Sequence, residues 1–131
     1  MDIIEVRDYL LSLPSCEESQ PFGEEFAVYK TGGKMFACTA FERPGIIALK
    51  CNPDRAVLLR DRFPSVTPAW HFNKKHWNDI SIEMLDDNIV RREINHSYLT
   101  VIKKNVSPKS LKETLLKLAA EAGIEDAECP E

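Results

Sequence analysis

The chain has few residues of the kinds that disulfide scaffolds, metal sites and nucleotide-binding loops require. Its 131 residues include only four cysteines and five glycines. No two cysteines form a C-x-x-C pair, so neither a zinc site nor a disulfide framework is predicted. The sequences G-x-x-x-x-G-K-[ST], G-x-G-x-x-G and G-x-S-x-G are also absent. Nucleotide-binding, dinucleotide-binding and hydrolase functions therefore lack their usual sequence support.

Long apolar runs are missing too. Residues 1–5 contain no basic segment that leads into an apolar one, and no stretch approaches the roughly 20 apolar residues that a membrane-spanning helix needs. We therefore expect a cytoplasmic protein that does not associate with membranes and keeps its cysteines reduced. Its composition, 44% hydrophobic and 29% charged, is ordinary for one globular domain of this length.

The charge is unevenly distributed along the chain, although the net charge is only −4. Residues 1–29 contain seven acidic residues and one basic residue, and residues 121–131 contain five acidic residues and no basic one. Residues 43–120 contain fourteen lysines and arginines against eight acidic residues. If these bases share a face, they predict an anionic partner; if they are scattered over solvated helices, they form no patch.

Hydrophobic periodicity and turn residues predict the order of elements. A helix over 2–13 begins at the capping residue Asp2 and ends before Pro14. Strands over 26–31 and 34–41 are joined by Gly32-Gly33, which suits a tight hairpin turn. The same reasoning predicts a third strand over 46–51, a helix over 52–63, a strand over 76–84, and helices over 86–104 and 107–122.

This order predicts an α+β fold in two layers, with an antiparallel sheet and helices packed on one side of it. We expect a single domain over residues 1–123. The acidic residues 124–131 follow the last helix and are predicted to form a frayed tail.

The densest functional signal lies in residues 66–79, which contain both tryptophans, two of the three histidines and a Lys-Lys pair. Aromatic rings there could stack on unpaired bases while Lys74 and Lys75 contact phosphates. Alternatively, Trp70, Phe72 and Trp77 could anchor the segment to the core and leave the lysines as solvated charges. The sequence leaves both interpretations open.

No complete catalytic or metal-binding set is visible. His71 and His76 are five residues apart, which does not place two imidazoles on one helix face. Glu93 and His96 have the spacing of half a di-iron motif, but no second copy occurs. Cys51 lacks an evident base and orienting group. We therefore expect a binding module that is not an enzyme and that has no metal and no cofactor.

Four ordered segments resemble the MmcQ/YjbR family of small bacterial proteins. They are Tyr29-Lys-Thr-Gly-Gly-Lys-Met-Phe-Ala37, Leu49-Lys-Cys-Asn-Pro53, His71-Phe-Asn-Lys-Lys-His-Trp77 and His96-Ser-Tyr98. The third segment is the most specific of the four. The resemblance implies a CyaY-like fold, which agrees with the predicted order of elements. It also implies DNA binding, with exposed hairpins that act as wings.

We therefore predict a nucleic-acid-binding module for DNA or RNA. In this hypothesis Lys30 and Lys34 flank the wing tip, Lys74, Lys75, Arg91 and Arg92 contact phosphates, and Trp70 or Trp77 contacts bases or sugars. The candidate site is Lys30, Lys34, Trp70, His71, Asn73, Lys74, Lys75, His76, Trp77, Arg91 and Arg92. The alternative is a protein-interaction or small-ligand module whose basic middle docks an acidic protein partner. The oligomeric state does not follow from the sequence.

Overall fold

The computed structural model describes all 131 residues. Four helices and six strands follow one another along the chain: α1 (Ile3–Ser12), β1 (Glu17–Ser19), β2 (Phe26–Thr31), β3 (Lys34–Ala40), β4 (Arg43–Lys50), α2 (Pro53–Arg62), β5 (Val66–Pro68), β6 (Trp77–Ser81), α3 (Asp87–Asn105) and α4 (Lys109–Glu121). None of the helices combines the length and apolar character needed to span a bilayer.

The strands form one sheet in the order β1-β2-β3-β4-β6-β5, and each neighbouring pair is antiparallel. The β2–β3 hairpin turns at Gly32 and Gly33, whose φ angles of 57° and 77° suit the tight turn that the sequence predicted. Strand β3 pairs with both β2 and β4. The predicted meander and the antiparallel α+β fold are therefore confirmed.

The main hydrophobic core lies between the sheet and the helices. Val6 and Leu10 of α1 are fully buried there, and so are Ile94 and Tyr98 of α3. Ala56 and Leu59 of α2, Leu115 and Ala119 of α4, and Tyr29, Ile47, Leu49 and Ile80 of the strands belong to the same cluster. All four helices thus pack on one face of the sheet, as the fold prediction requires.

Two short edge strands were not predicted. All three residues of β1, Glu17–Ser19, are exposed, so this strand has no apolar alternation. Strand β5 has three residues and ends in Pro68, a residue that sheets tolerate at an edge. Both strands exist because a longer neighbour, β2 or β6, offers free backbone groups for pairing.

The prediction of a frayed C-terminal tail is wrong. Residues 124–131 form no helix or strand, but the guanidinium of Arg55 donates to the carbonyl of Ala127 at 2.6 Å, and Arg62 donates to that of Pro130 at 2.9 Å. Ile124 and Cys129 also pack against the main core. The tail is held by arginines of α2, which the sequence alone did not connect to it.

Candidate nucleic-acid interface

The segment between β5 and β6 folds back over the sheet face that carries no helix. There a second, smaller hydrophobic cluster joins Val28, Cys38 and Ala48 of the sheet to Ala69 and Trp77. The ring of Phe72 stacks on that of Trp77, with centroids 4.6 Å apart and an angle of 23° between the planes. The 69–77 segment therefore covers part of the open face instead of extending into solvent.

Trp77 is 7% exposed and belongs to this cluster. Its ring cannot stack on a base in this conformation, so its predicted role as a base contact is corrected to a packing role. Trp70, in contrast, is 67% exposed. Phe72 and Trp77 thus anchor the segment to the sheet, as one of the two interpretations predicted. Trp70 faces solvent, as the other interpretation requires.

Hydrogen bonds shape the backbone around the two lysines. The Asn73 side chain accepts from the Lys75 amide at 2.9 Å, and the Asn73 carbonyl accepts from the His76 amide at 3.1 Å. Arg60 of α2 donates to the Lys74 carbonyl. The Lys74 ammonium donates to the Ala69 carbonyl at 2.9 Å, whereas no hydrogen bond occupies that of Lys75. Lys75 is consequently the freer cation of the pair.

Around Trp70, polar and aromatic groups form a small exposed assembly. The imidazole of His71 lies 4.6 Å from the indole, measured between centroids, and the Arg43 guanidinium lies 5.7 Å from the indole centroid. Arg43 also pairs with the buried carboxylate of Asp79 at 3.2 Å, and that carboxylate accepts from the Trp70 amide. Contacts with His71, Arg43 and Asp79 therefore hold the exposed Trp70 indole in place.

A second group of lysines lies at the end of the sheet that carries the β2–β3 turn. Lys34 follows the β2–β3 turn, Lys50 ends β4, and Lys104 is in the last turn of α3. Burial lowers the pKa of the Lys50 ammonium, and the charges of Lys104 and Lys34 lower it further. These three residues are called the lysine edge below.

The lysine edge has no acidic counterpart. The ammonium group of Lys50 donates to the neutral side chain of Asn105 at 2.8 Å, and none of the three lysines has a carboxylate within 4.0 Å. Lys30, the other predicted wing residue, lies opposite Glu17 in the β1–β2 pairing. Lys30 therefore has an acidic residue opposite it on the neighbouring strand, although the two side chains form no ion pair within 4.0 Å.

The β2–β3 turn is not a free wing. A Cβ atom added to Gly32 would lie 2.8 Å from a Val106 methyl group and 3.0 Å from one of Leu115, so this side of the turn packs against the α3–α4 connection. Only the Gly33 side is open. The wing implied by the family resemblance is thus corrected to a turn packed on the helices, with Lys34 exposed beside it.

Arg91 and Arg92 do not join the other predicted residues. They lie in the first half of α3, which packs on the face opposite to the 69–77 segment, and Arg91 donates to Asn88 of its own helix. Arg91 and Arg92 are also 13 and 12 residues before Lys104 on the same helix, which is about 18–20 Å along its axis. Arg91 and Arg92 are therefore separated from the lysine edge along α3, and their helix lies on the face opposite to Lys74 and Lys75.

The largest groove, of about 490 Å³, lies on the helix side between α1 and strands β2 and β3. Its polar lining includes Glu18, Glu24 and Glu25, and its one base, Arg7, is paired with Glu18 at 2.7 Å. Tyr29 donates to the same carboxylate. Phosphate is unsuited to a groove with this surplus of negative charge.

A buried ionic network joins α2, α3 and the tail. Arg55 binds Glu93 through two parallel hydrogen bonds of 2.9 and 2.8 Å. One turn further along α3, His96 contacts Asp126 at 2.8 Å and accepts the Asn52 amide through Nε2 at 3.1 Å. Because Nε2 accepts, the ring proton is on Nδ1 and is donated to Asp126. The Glu93 and His96 pair that resembled half a metal motif therefore has structural partners.

The pH dependence of stability is predicted to follow His96. Burial lowers the pKa of this imidazole below its usual 6.5, although Asp126 raises it. Below about pH 6.5 the unfolded chain therefore binds more protons than the folded one. The stabilisation is complete above this pH and declines, by up to about 1.4 kcal/mol per pH unit, as the pH falls toward the folded pKa.

Urea unfolding at about pH 7.5 and about pH 5.5 tests this expectation. His96→Gln should have lower stability at the higher pH and a weaker pH dependence. His71→Gln, which changes an exposed ring, should keep the pH dependence of the unmodified protein. Equal pH dependence in all three proteins would show that His96 does not control it.

The thiols of Cys38 and Cys51 are buried. Burial raises the pKa of the Cys51 thiol to about 12 and that of the Cys38 thiol to about 11. Both thiols are therefore protonated at neutral pH and are poor nucleophiles. The Nε2 atom of His96, the nitrogen not used by Asp126, is already occupied by the Asn52 amide.

Comparison with known proteins assigns the chain to a family. The family model described as YjbR matches residues 11–100. The chain belongs to the YjbR family. The uncharacterized protein YbdF of Escherichia coli O157:H7 is 40% identical over 97 residues, which cover 70% of this chain and 77% of YbdF. The uncharacterized protein YjbR of Escherichia coli K12 is 28% identical over 120 residues, covering 90% of this chain and all of that protein.

Solved structures share the fold of this chain. Protein DR2400 of Deinococcus radiodurans, described with a DUF419 domain, has a TM-score of 0.79 at 29% identity and covers 97% of this chain and 91% of its own. A protein from Pseudomonas syringae has a TM-score of 0.67 at 22% identity, over 76% of this chain and 98% of its own. The second likeness concerns the fold alone.

Sequence reasoning missed two components of the candidate site. Lys50 and Lys104 were not among the predicted residues, because lysines at a strand end and a helix end are normally solvated. Phe22 and Phe26 were also missed, although they lie at the rim of the same open face as His71 and Phe72. Strand alternation could have identified Phe26, because it places Phe26 and Val28 on the same face of the sheet.

Proposed function

We propose that the protein is a non-enzymatic nucleic-acid-binding module. The observation that carries the proposal is the lysine edge, where Lys50 is within electrostatic range of Lys34 and Lys104 and none of the three has a carboxylate within 4.0 Å. Three like charges held together repel one another, and an anion that binds among them relieves this repulsion. Phosphates of a nucleic acid are anions with a spacing that can engage several lysines at once.

The exposed groups of the 69–77 segment supply a second kind of contact. Trp70 offers a ring for stacking, and Lys75 offers a cation that no hydrogen bond occupies. Phosphate contacts position a nucleic acid, and aromatic surfaces hold its bases. The buried, protonated thiols and the fully occupied His96 ring favour binding over catalysis.

The alternative is docking of an acidic protein segment on the same lysines. Salt dependence does not separate the two partners, because both lose charge contacts as the ionic strength rises. Competition does separate them: an oligonucleotide should displace a fluorescent oligonucleotide, whereas a poly-glutamate peptide of equal charge should displace it much less. Equal displacement by the two competitors would favour the protein partner.

The lysine edge is predicted to determine the salt dependence of binding. Lys34→Ala with Lys50→Ala should weaken binding of all oligonucleotide sequences alike. It should also reduce the slope of log K against log salt by about one to two units, because Lys34 is free whereas the Lys50 ammonium already donates to Asn105. Lys74→Ala with Lys75→Ala should reduce the slope by about one unit, because the Lys74 ammonium is already engaged by Ala69.

A matched control is Lys109→Ala with Lys117→Ala, which removes two exposed lysines from α4. This variant should keep the slope of the unmodified protein. Fluorescence anisotropy at several salt concentrations measures all four proteins. An unchanged slope in the Lys34 and Lys50 variant would reject the lysine edge as the phosphate contact. If the unmodified protein binds no oligonucleotide at low salt, the proposed function is wrong.

A further inference from the structure

An apolar slot opens beside the exposed end of the 69–77 segment. It has a volume of about 270 Å³ and is lined by Phe22, Phe26, Cys38, His71 and Phe72. The five residues, called the aromatic slot below, come from three separate parts of the chain. Phe22 precedes β2, Phe26 begins β2, and His71 and Phe72 belong to the segment that folds over the sheet.

Exposed and half-buried rings line the slot. Phe22 is 66% exposed, and Trp70 at the neighbouring rim is 67% exposed. The ring of His71 meets that of Phe26 edge to face at a centroid distance of 5.9 Å, and Phe72 is supported by its stack on Trp77. These contacts hold the rings in place without closing the slot. Its walls can therefore accept a flat aromatic group.

Polar groups lie next to the slot in the adjoining recess. Arg43 and Asp79 line this recess together with Phe26, His71 and Phe72. The Asp79 carboxylate is buried and binds Arg43 at 3.2 Å, while the 37% exposed Arg43 side chain offers hydrogen-bond donors beside an apolar surface. A ligand that fits this combination is planar and aromatic, and has hydrogen-bonding groups on its edge.

The slot and the lysine edge lie close enough for one nucleic-acid strand to reach both. Cys38 lines the slot and pairs with Ala48 of β4, and Lys50 follows two residues later on that strand. This separation is about 7 Å along β4, and the four residues from Cys38 back to Lys34 span about 13 Å along β3. An extended strand crosses such distances within one or a few nucleotides.

We propose that the aromatic slot takes one unpaired base of a single-stranded nucleic acid while the lysine edge holds phosphates of neighbouring nucleotides. This inference rests on the proposed function and names the class of nucleic acid. A base in a duplex is stacked and paired, so it enters a slot only after it has been removed from the helix. A single strand avoids that cost and is bound more tightly.

The test uses four phosphate-containing probes that differ in their sugar or in the presence and pairing of their bases. They are an oligothymidylate of about ten nucleotides, the corresponding oligouridylate, a duplex of the same length, and an abasic oligomer. We expect the unmodified protein to bind one or both single strands more tightly than the duplex and the abasic oligomer. A preference for thymidylate or uridylate then distinguishes DNA from RNA.

The variant Phe22→Ala removes one wall of the slot and leaves all lysines in place. It should weaken binding of the preferred single strand by about 5- to 100-fold, the range expected for one lost stacking contact. It should not change the salt slope, because no phosphate contact is lost. The matched control is Phe41→Ala, because Phe41 is 84% exposed and lies outside the slot.

The outcomes separate this inference from the proposed function. If the unmodified protein binds single strand, duplex and abasic oligomer equally, or if Phe22→Ala and Phe41→Ala have equal effects, the slot does not take a base, although nucleic-acid binding remains. If no probe binds at low salt, both proposals fail. Weaker binding in Phe22→Ala alone, with an unchanged salt slope, supports the slot.

Discussion

Replacement of Glu93 by alanine is expected to lower the free energy of unfolding by about 3–5 kcal/mol. The side chains of Arg55 and Glu93 are only 9% and 2% exposed. Without the carboxylate, the Arg55 guanidinium stays buried and keeps only carbonyl groups of the tail and the more distant Asp126 as partners. A buried charge without its counter-ion costs far more than the pair itself contributes.

The double variant Arg55→Met with Glu93→Leu distinguishes that cost from a general loss of packing. It removes both charges and should recover much of the stability lost in Glu93→Ala. Glu113→Ala is the control at an exposed pair, since Lys109 and Glu113 are 3.8 Å apart with exposed side chains. It should change stability little. Chemical denaturation measures each variant, and a loss of under about 1 kcal/mol in Glu93→Ala would mean that Arg55 is not truly desolvated.

Trp77→Ala is expected to destabilise the protein by a similar amount, about 3–5 kcal/mol. The ring is 7% exposed, contacts the sheet cluster around Val28 and Ala48, and supports Phe72 by stacking. Its removal leaves a cavity on the open face and frees the 69–77 segment. Loss of nucleic-acid binding in this variant would therefore report unfolding of the segment and not a lost base contact.

Trp70→Ala provides the comparison within the same segment. Trp70 is 67% exposed, so the variant should remain nearly as stable as the unmodified protein. If the effects of the two tryptophan substitutions on denaturant midpoint are alike, the assignment of Trp77 to the core and of Trp70 to the surface is wrong. If only Trp77→Ala shifts the midpoint strongly, Trp70→Ala becomes the appropriate probe of binding.

Local sequence signals determined most of the fold. Asp2 caps α1 together with Glu5, and Asn52 followed by Pro53 begins α2. Gly32 and Gly33 specify the hairpin because both adopt positive φ angles. Each of these signals acts within a few residues, so the sequence alone displays it.

The sequence also determined which segment of the open face carries aromatic and cationic residues together. What each ring does there depended on tertiary packing. Trp70 and Trp77 have the same chemistry and are seven residues apart. Strand alternation points Trp77 into the small cluster with Val28 and Ala48, whereas Trp70 lies in the connection and stays exposed.

Only the tertiary structure decided which charges act together. Lys34, Lys50 and Lys104 are far apart in sequence and converge because a turn, a strand end and a helix end meet at one edge. Arg55, Glu93 and Asp126 converge in the same way and hold the C-terminal tail in place. The acidic composition of the tail had predicted that it would be frayed. Charge interactions between distant parts of a chain depend on distance and burial, and neither quantity is encoded in local composition.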